Sequence, residues 1–395
     1  DFDTANSEFD WSPDSKNIVF AYSSKQGLDS YYLDSSLAIV NTSNGVTTSL
    51  KKNALYEAMP RFSFDGKQIA YLSCNSSKRY TANWQPSVRL VDEEKYFTLA
   101  STFNAGPHIA GPNLLGWSKD GKDLLFFEPK GTKFHLVLVP VNGAPVKEIE
   151  TGDTFFTAPS LSDDKTMLSF VAQSPSTPPE AFVSSLDNFK PIQVSALNNN
   201  FLSYPKIETN TMCWKSEDGM EIEGLVTYPV GYEKGKKYPL LVFVHGGPMM
   251  FFKEEFLGLP SPYPLASFAQ EGFVVFRPNV RGSSGYGKSF RCDNYNDWGG
   301  EDFKDIMTGV DALIEKGIAD PERLGIMGWS YGGYMTAWAV TQTDRFKAAS
   351  IGAALSNLVS MSGTTDLYRL LPDYLGDYIE NEEFYKNRSP IFHTH

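Results

Sequence analysis

The 395-residue sequence predicts two domains in series, a set of small repeated antiparallel β-sheets followed by a doubly wound, mostly parallel α/β sheet. Two observations predict it. An apolar-Ser-x-Asp pattern recurs four times before residue 170. In the second half, two apolar runs of strand length each end in a glycine motif, about 85 residues apart.

The repeat comes first in the chain. Trp11-Ser-Pro-Asp-Ser-Lys-Asn-Ile-Val-Phe20 aligns without gaps with Phe62 to Tyr71, Trp117 to Phe126 and Leu161 to Phe170. The serines Ser12, Ser63, Ser118 and Ser162 are spaced by 51, 55 and 44 residues. Each copy reads as a polar turn followed by a strand with apolar residues at alternate positions. One such hairpin per unit is the signature of a β-propeller blade. The Asp and Gly belong to the tight turn, and Ile18, Ile69, Leu124 and Leu168 are expected to face the packing between sheets. Leu37 to Val40 and Phe134 to Val139 supply further strands. A β-sandwich with coincidental turns is the alternative, and four gap-free copies weigh against it. Propellers close with about four to eight blades. About four are visible here, so residues 1–204 are expected to be the C-terminal part of a propeller. Ser174-Pro-Ser-Thr-Pro-Pro179 reads as a loop in the last blade, and Asn198 to Pro205 as the hinge to the second domain.

After the hinge, Thr211 to Tyr228 forms a hairpin around Glu217-Asp218-Gly219. Tyr238 to Val244 is a buried-strand run that ends in His245-Gly-Gly-Pro248. Phe273 to Phe276 makes another strand, and the glycine-rich passage Arg281 to Gly287 follows. That passage lacks the Gly-Lys-Ser/Thr ending of a phosphate cradle and opens no clear helix. It is read as a structural loop, with Arg281 a buried structural arginine. Phe303, Ile306, Val310, Leu313 and Ile314 share one helical face that Gly317 terminates. Asp320-Pro-Glu322 turns the chain into the strand Leu324 to Met327. This strand runs into Gly328-Trp-Ser-Tyr-Gly332, a G-x-S-x-G nucleophile elbow. Tyr334, Met335, Ala337, Trp338 and Val340 would pack the next helix, whose N-terminus favours developing negative charge.

An elbow serine needs oxyanion donors, and an H-G-G loop after an early strand supplies one while the residue after the serine supplies the other. Both parts stand here in the right order, which points to an α/β-hydrolase. Residues from about 205 onward resemble the catalytic domain of the prolyl oligopeptidase family of serine peptidases, nearest its acylaminoacyl-peptidase and bacterial dipeptidyl-peptidase branch. His245 to Pro248, Asn279 to Gly287, Gly328 to Met335 and Thr343 to Ala348 carry the resemblance. It implies Ser330 as nucleophile, with the backbone N–H groups of Gly247 and Tyr331 as the oxyanion hole. It also implies short peptide substrates admitted past a covering propeller, and neither metal nor cofactor. In some branches a tyrosine stands where His245 stands; the His-Gly-Gly-Pro form points away from those.

A serine hydroxyl also needs a histidine oriented by a carboxylate, in the chain order Ser, Asp or Glu, His. Beyond Ser330 the sequence offers only His393 and His395. Asp344 lies in a surface turn, and Asp366 to Glu383 reads as a helical insertion around Leu371-Pro372. The triad Asp and His are therefore expected beyond residue 395, making residues 205–395 the N-terminal part of the hydrolase domain. A catalytically dead protein that binds through its propeller, a triad rewired through His393 or His395, and an esterase acting on non-peptide esters are the alternatives.

Composition narrows the partners. A net charge of −12 and a pI near 5.0 argue against nucleic acid and anionic membrane surfaces. No apolar run approaches the roughly 18 residues that span a bilayer. Residues 1–8 lack the features of a signal peptide. Cys74, Cys213 and Cys292 lie far apart and read as ordinary thiols. The compartment stays open between cytoplasmic and periplasmic or secreted, and a homo-oligomer is equally open.

Overall fold

The structure, a computed structural model, describes residues 9–24, 29, 34–78, 80, 82–106, 113–259, 261 and 263–394. Its first half is four antiparallel sheets of four strands each, every one a simple meander. The first sheet comprises Phe9–Trp11, Asn17–Ser23, Ser35–Asn41 and Thr47–Ser49. The second comprises Tyr56–Phe62, Gln68–Cys74, Gln85–Leu90 and Tyr96–Thr98. The third is Asn113–Trp117, Asp123–Lys130, Lys133–Pro140 and Lys147–Ile149, and the fourth is Phe155–Leu161, Met167–Ser174, Thr177–Ser185 and Ile192–Gln193.

The Ser-x-Asp repeat makes the same turn in each. In the second sheet Ser63 Oγ donates to Asp65 at 2.7 Å and accepts from the Gln68 N–H at 2.9 Å, while Asp65 accepts from the Lys67 N–H at 3.1 Å. Ser12, Ser118 and Ser162 repeat this pattern with Asp14, Asp120 and Asp164. The residue after the Asp takes a positive φ every time, at Ser15, Gly66, Gly121 and Lys165. Successive residues of each second strand then point to opposite neighbours. Ile69 and Tyr71 pack towards the first sheet, Ala70 and Leu72 towards the third. Leu125 and Phe127 of the third sheet meet Leu168 and Phe170 of the fourth. Ile69, Leu124 and Leu168 are fully buried as expected. Ile18 is only half-buried. Its neighbour Val19 is the one that packs against the second sheet, because Ile18 lies on the other face of the strand. The Pro-rich passage is a tight hairpin, with Ser174 paired to Thr177 and both Pro178 and Pro179 inside the last long strand.

A short 3-10 helix, Asn199–Ser203, precedes a six-stranded sheet. We label its strands β1 (Thr209–Lys215), β2 (Glu221–Thr227), β3 (Tyr238–Val244), β4 (Val274–Asn279), β5 (Ala319–Trp329) and β6 (Phe346–Gly352). Their order is β1-β2-β4-β3-β5-β6, antiparallel at the β1/β2 and β2/β4 pairs and parallel elsewhere. Helices α1 (Leu265–Gln270), α2 (Gly287–Cys292), α3 (Glu301–Glu315) and α4 (Tyr331–Gln342) come between the later strands. Leu265 of α1 packs on one face of the sheet, while Ile306 and Val310 of α3 and Met335 of α4 pack on the other. The winding direction therefore reverses at β3. In doubly wound sheets that reversal opens a crevice at the carboxyl ends of the strands beside it, here β3 and β5. Three further helices, α5 (Leu358–Thr364), α6 (Leu370–Leu375) and α7 (Tyr378–Asn387), follow β6.

The glycine-rich passage does open a helix, the short α2. Its arginine is structural. Arg281 is buried and makes paired hydrogen bonds to Asp305 (2.8 and 3.0 Å) and Asp218 (2.9 and 3.2 Å), plus one to Asp293 at 3.1 Å. The two halves of the chain are also in direct contact. Arg291, fully buried, donates to the Asn104 carbonyl at 2.6 Å, and Thr132 donates to Glu254 at 2.8 Å. Asp29 accepts from Tyr80 and from the Arg369 N–H.

Two stability experiments follow from these contacts, both read by urea unfolding. Ser63→Ala strips two hydrogen bonds from a buried turn and is expected to cost about 1–3 kcal/mol, more than the same change at the more open Ser162. Arg281→Ala strands Asp305 without a counter-charge and is expected to cost about 3–5 kcal/mol, with Arg281→Lys recovering only part.

Candidate active site

Strand β5 ends at Trp329, helix α4 begins at Tyr331, and Ser330 makes the turn between them at φ 60°, ψ −121°. A non-glycine residue held there costs on the order of 1–3 kcal/mol, so its surroundings must enforce it. They do so through backbone bonds. Ser330 N–H donates to the Gly352 carbonyl at 3.0 Å, and the Tyr334 N–H donates to the Ser330 carbonyl at 2.9 Å. The Tyr263 hydroxyl braces the strand end from outside, reaching the Gly328 and Ser350 carbonyls at 2.9 and 3.0 Å. Gly332 lies so close to the end of β3 that a Cβ there would collide with the Val244 carbonyl. Helix α4 is buried all round from Tyr331 to Ala339. Val340, expected to pack, is instead 40% exposed.

The loop after β3 passes alongside the serine. A Cβ placed on Gly246 would lie 3.4 Å from Ser330 Cβ and 4.0 Å from its Oγ. Gly247 follows at φ 120°, a conformation that side chains disfavour. Among the described residues, nothing accepts a hydrogen bond from the N–H of Gly247 or of Tyr331. The latter is the first residue of α4, where helix geometry leaves the donor open. His245 is buried, with Nδ1 2.8 Å from the Gly246 carbonyl and Nε2 2.8 Å from Ser283 Oγ. Burial lowers its pKa to about 4, so the ring is neutral at pH 7. The tautomer that fits carries its proton on Nδ1 and donates it to Gly246. Because the Gly246 carbonyl and the Gly247 N–H share one peptide plane, that bond also fixes where the Gly247 donor points.

Beneath the turn sits a group that the sequence did not single out. The Tyr331 hydroxyl donates to Asp302, a fully buried carboxyl at the start of α3. Burial, with lesser contributions from Asp297 and Asp305, raises the Asp302 pKa to about 7. Trp298 meets Tyr331 edge-on at 5.1 Å, and its carbonyl accepts from Tyr334 at 3.1 Å. The available signal was Trp298-Gly-Gly-Glu-Asp302, in which two glycines bring a tryptophan and an acidic helix start together.

No side chain among the described residues hydrogen-bonds to Ser330 Oγ. His135 pairs with Glu148 in the third small sheet. His393 donates to the Asn387 carbonyl at 2.9 Å and lies edge-on to Trp338. Trp338 is eight residues along α4 from Ser330, roughly 12 Å of helical rise. His108 and His395 lie outside the described residues. Of the later carboxylates, Asp373 accepts from the Tyr80 N–H, Asp377 caps α7 and Glu382 pairs with Lys386. Each has a structural task. The described residues contain no cluster of three metal-ligating side chains, and among them no cysteine forms a disulfide.

Comparison with known proteins bears on this arrangement. The sequence model of the Prolyl oligopeptidase family matches residues 261–395. The Uncharacterized peptidase YuxL of Bacillus subtilis is 30% identical over 72% of this chain and 44% of its own length. Dipeptidyl-peptidase 5 of Porphyromonas gingivalis is 26% identical over 91% of this chain and 52% of its own length. The chain thus spans about half the length of the curated relatives it matches. A crystal structure of Pyrococcus horikoshii acylaminoacyl peptidase superposes with a TM-score of 0.77 at 23% identity, covering 98% of this chain and 59% of that one. At that identity the match speaks for the fold alone. Residues 261–395 thus match the prolyl oligopeptidase family, and these relatives align with the greater part of the chain.

Proposed function

We propose that the protein is a serine peptidase of acylaminoacyl- or dipeptidyl-peptidase type, hydrolysing short peptides through an acyl-enzyme on Ser330. The observation that carries this reading is a half-buried serine at the sheet's switch point, with the open N–H groups of Gly247 and Tyr331 close by. Ser330 Oγ bonds to the scissile carbonyl carbon and its proton passes to a histidine base. The carbonyl oxygen, now negative, lies between the two N–H donors. The amine leaves with the proton, and water then cleaves the ester. Each oxyanion donor of this kind supplies roughly 2.7–4 kcal/mol of transition-state stabilisation. His245 cannot be the base, since both ring nitrogens are engaged and burial disfavours its charged form. In this reading the base and its carboxylate come from a part of the protein outside this chain.

The four small sheets are, in the same reading, the C-terminal part of a β-propeller over residues 1–204. Residues 205–395 are the N-terminal part of the hydrolase domain. Supporting this, the third sheet reaches the loop beside the serine, where Phe134 packs edge-on to Phe251 at 5.7 Å. A cover so placed admits short peptides and excludes folded ones. The name of one relative, a dipeptidyl-peptidase, points to the same substrate class.

The decisive measurement is intact-mass spectrometry of the full-length protein after treatment with a fluorophosphonate. One adduct on Ser330, absent in Ser330→Ala, is expected; no adduct on the wild type overturns the nucleophile. Parallel assays on peptide amides and short-chain esters are expected to show amide cleavage, and activity on esters alone would replace the peptidase with an esterase. The anchor under the elbow has its own signature. Asp302 binds its proton more tightly folded than unfolded, so its contribution to stability is fully present below about pH 4 and is lost as pH rises through about 7. Melting scans from pH 5 to 8 are expected to show that decline, and Asp302→Asn should flatten it.

A further inference from the structure

The described residues between 245 and 264 form no helix or strand, so no backbone ladder fixes the segment that carries Gly247. Around Gly247, side chains and amides from the end of β4 and the loop after it do so instead. Asn279, fully buried, accepts from the Phe252 N–H at 2.7 Å and donates to the Phe252 carbonyl at 3.1 Å. A single side-chain amide thereby holds both backbone groups of one residue, which a carboxylate or a hydrocarbon of the same shape could not do. It also donates to the Tyr286 hydroxyl at 2.9 Å, which in turn donates to Glu223 at 2.8 Å. Further along, the Ser284 N–H donates to the Met249 carbonyl at 3.2 Å, and Ser283 holds His245. The Gly247 segment is thus gripped at His245, Met249 and Phe252 by Asn279, Ser283 and Ser284.

The same loop is held from its far side by the small sheets. The Gly285 N–H donates to Asn104 Oδ1 at 2.8 Å, and the Gly285 carbonyl accepts from the Gly131 N–H at 2.8 Å. Asn104 lies between the second and third sheets, and Gly131 at the tip of the third. With Arg281 pinned to three aspartates, the passage has little freedom to absorb a displacement at either end.

We propose that residues 279–287 are a positioning element that sets the Gly247 donor against Ser330, with Asn279 its principal residue and Asn104 its brace from the small sheets. The inference rests on Ser330 being the nucleophile and Gly247 an oxyanion donor. Neither asparagine touches the reacting atoms; each acts through the loop it holds. A misplacement of about 1 Å from outside the chemistry can cost around 100-fold in rate.

The test is fluorophosphonate labelling of Ser330 in the full-length protein, resolved into a maximal rate and a half-saturating probe concentration. Asn279→Ala is expected to lower the maximal rate by about 10- to 100-fold and leave the half-saturating concentration within about twofold. Asn104→Ala should act in the same direction more weakly, and the double variant should label no more slowly than Asn279→Ala alone. Wild-type labelling by Asn279→Ala overturns the proposal, as does a loss expressed in the half-saturating concentration. Fully multiplicative effects in the double variant overturn the link to the small sheets. If Asn279→Ala does not fold, Ser283→Ala decides, a slower maximal rate at unchanged half-saturation supporting the element and an unchanged rate removing it. A wild type that fails to label at Ser330 removes both the nucleophile and this inference, and is distinguished by that result from a failure of the element alone.

Discussion

Everything around the serine depends on how closely helix α4 passes the end of β3. Gly332 brings the helix against the Val244 carbonyl, and this closeness forces the sharp reversal at Ser330. The reversal is costly for a non-glycine residue, and the fold keeps it by surrounding α4 with protein on every side. Tyr331, Tyr334 and Trp338 fill that surround, and their polar ends reach Asp302, Trp298 and Gly299. The hydroxyls and the indole N–H thus tie the helix down where hydrocarbon alone would leave it free to rotate.

The sequence made much of this legible because its signals are local. A serine two residues before an aspartate, followed by a turn residue, writes the same hydrogen-bonded corner wherever it occurs. Apolar runs of seven residues such as Tyr238 to Val244 fit only a strand buried on both faces. The elbow and the His-Gly-Gly-Pro loop could be read because each demands glycine at fixed places. Other features were hidden because they depend on partners far apart in the chain. Asp302 meets Tyr331 across 29 residues, and Asn104 meets Gly285 across 181. Ile18 and Val340 failed for a related reason. Periodicity tells which residues share a face, but not whether anything lies opposite that face. The short helix α2 was missed because a run of glycines reads as loop.

Burial treats the polar groups of the site unequally. His245 is kept neutral and therefore serves as a hydrogen-bonding spacer between the Gly246 carbonyl and the Ser283 hydroxyl. Arg281 is kept charged by its three aspartates and serves as a rivet between β1–β2, α2 and α3. Asp302 falls between, with a proton held near neutrality. Three ionisable side chains within one loop system thus have different charge states. The number of hydrogen bonds and counter-charges around each decides which.

Among the described residues the small sheets pack in sequence, first to second, second to third, third to fourth, through separate apolar clusters. Such a row resembles a one-dimensional chain of coupled units, in which each unit's persistence depends on its nearest neighbours. The Asn104 corner and the Gly131 tip belong to its middle, where every unit has two supporters. The parts that reach across to the serine are thereby seated on sheets braced from both sides.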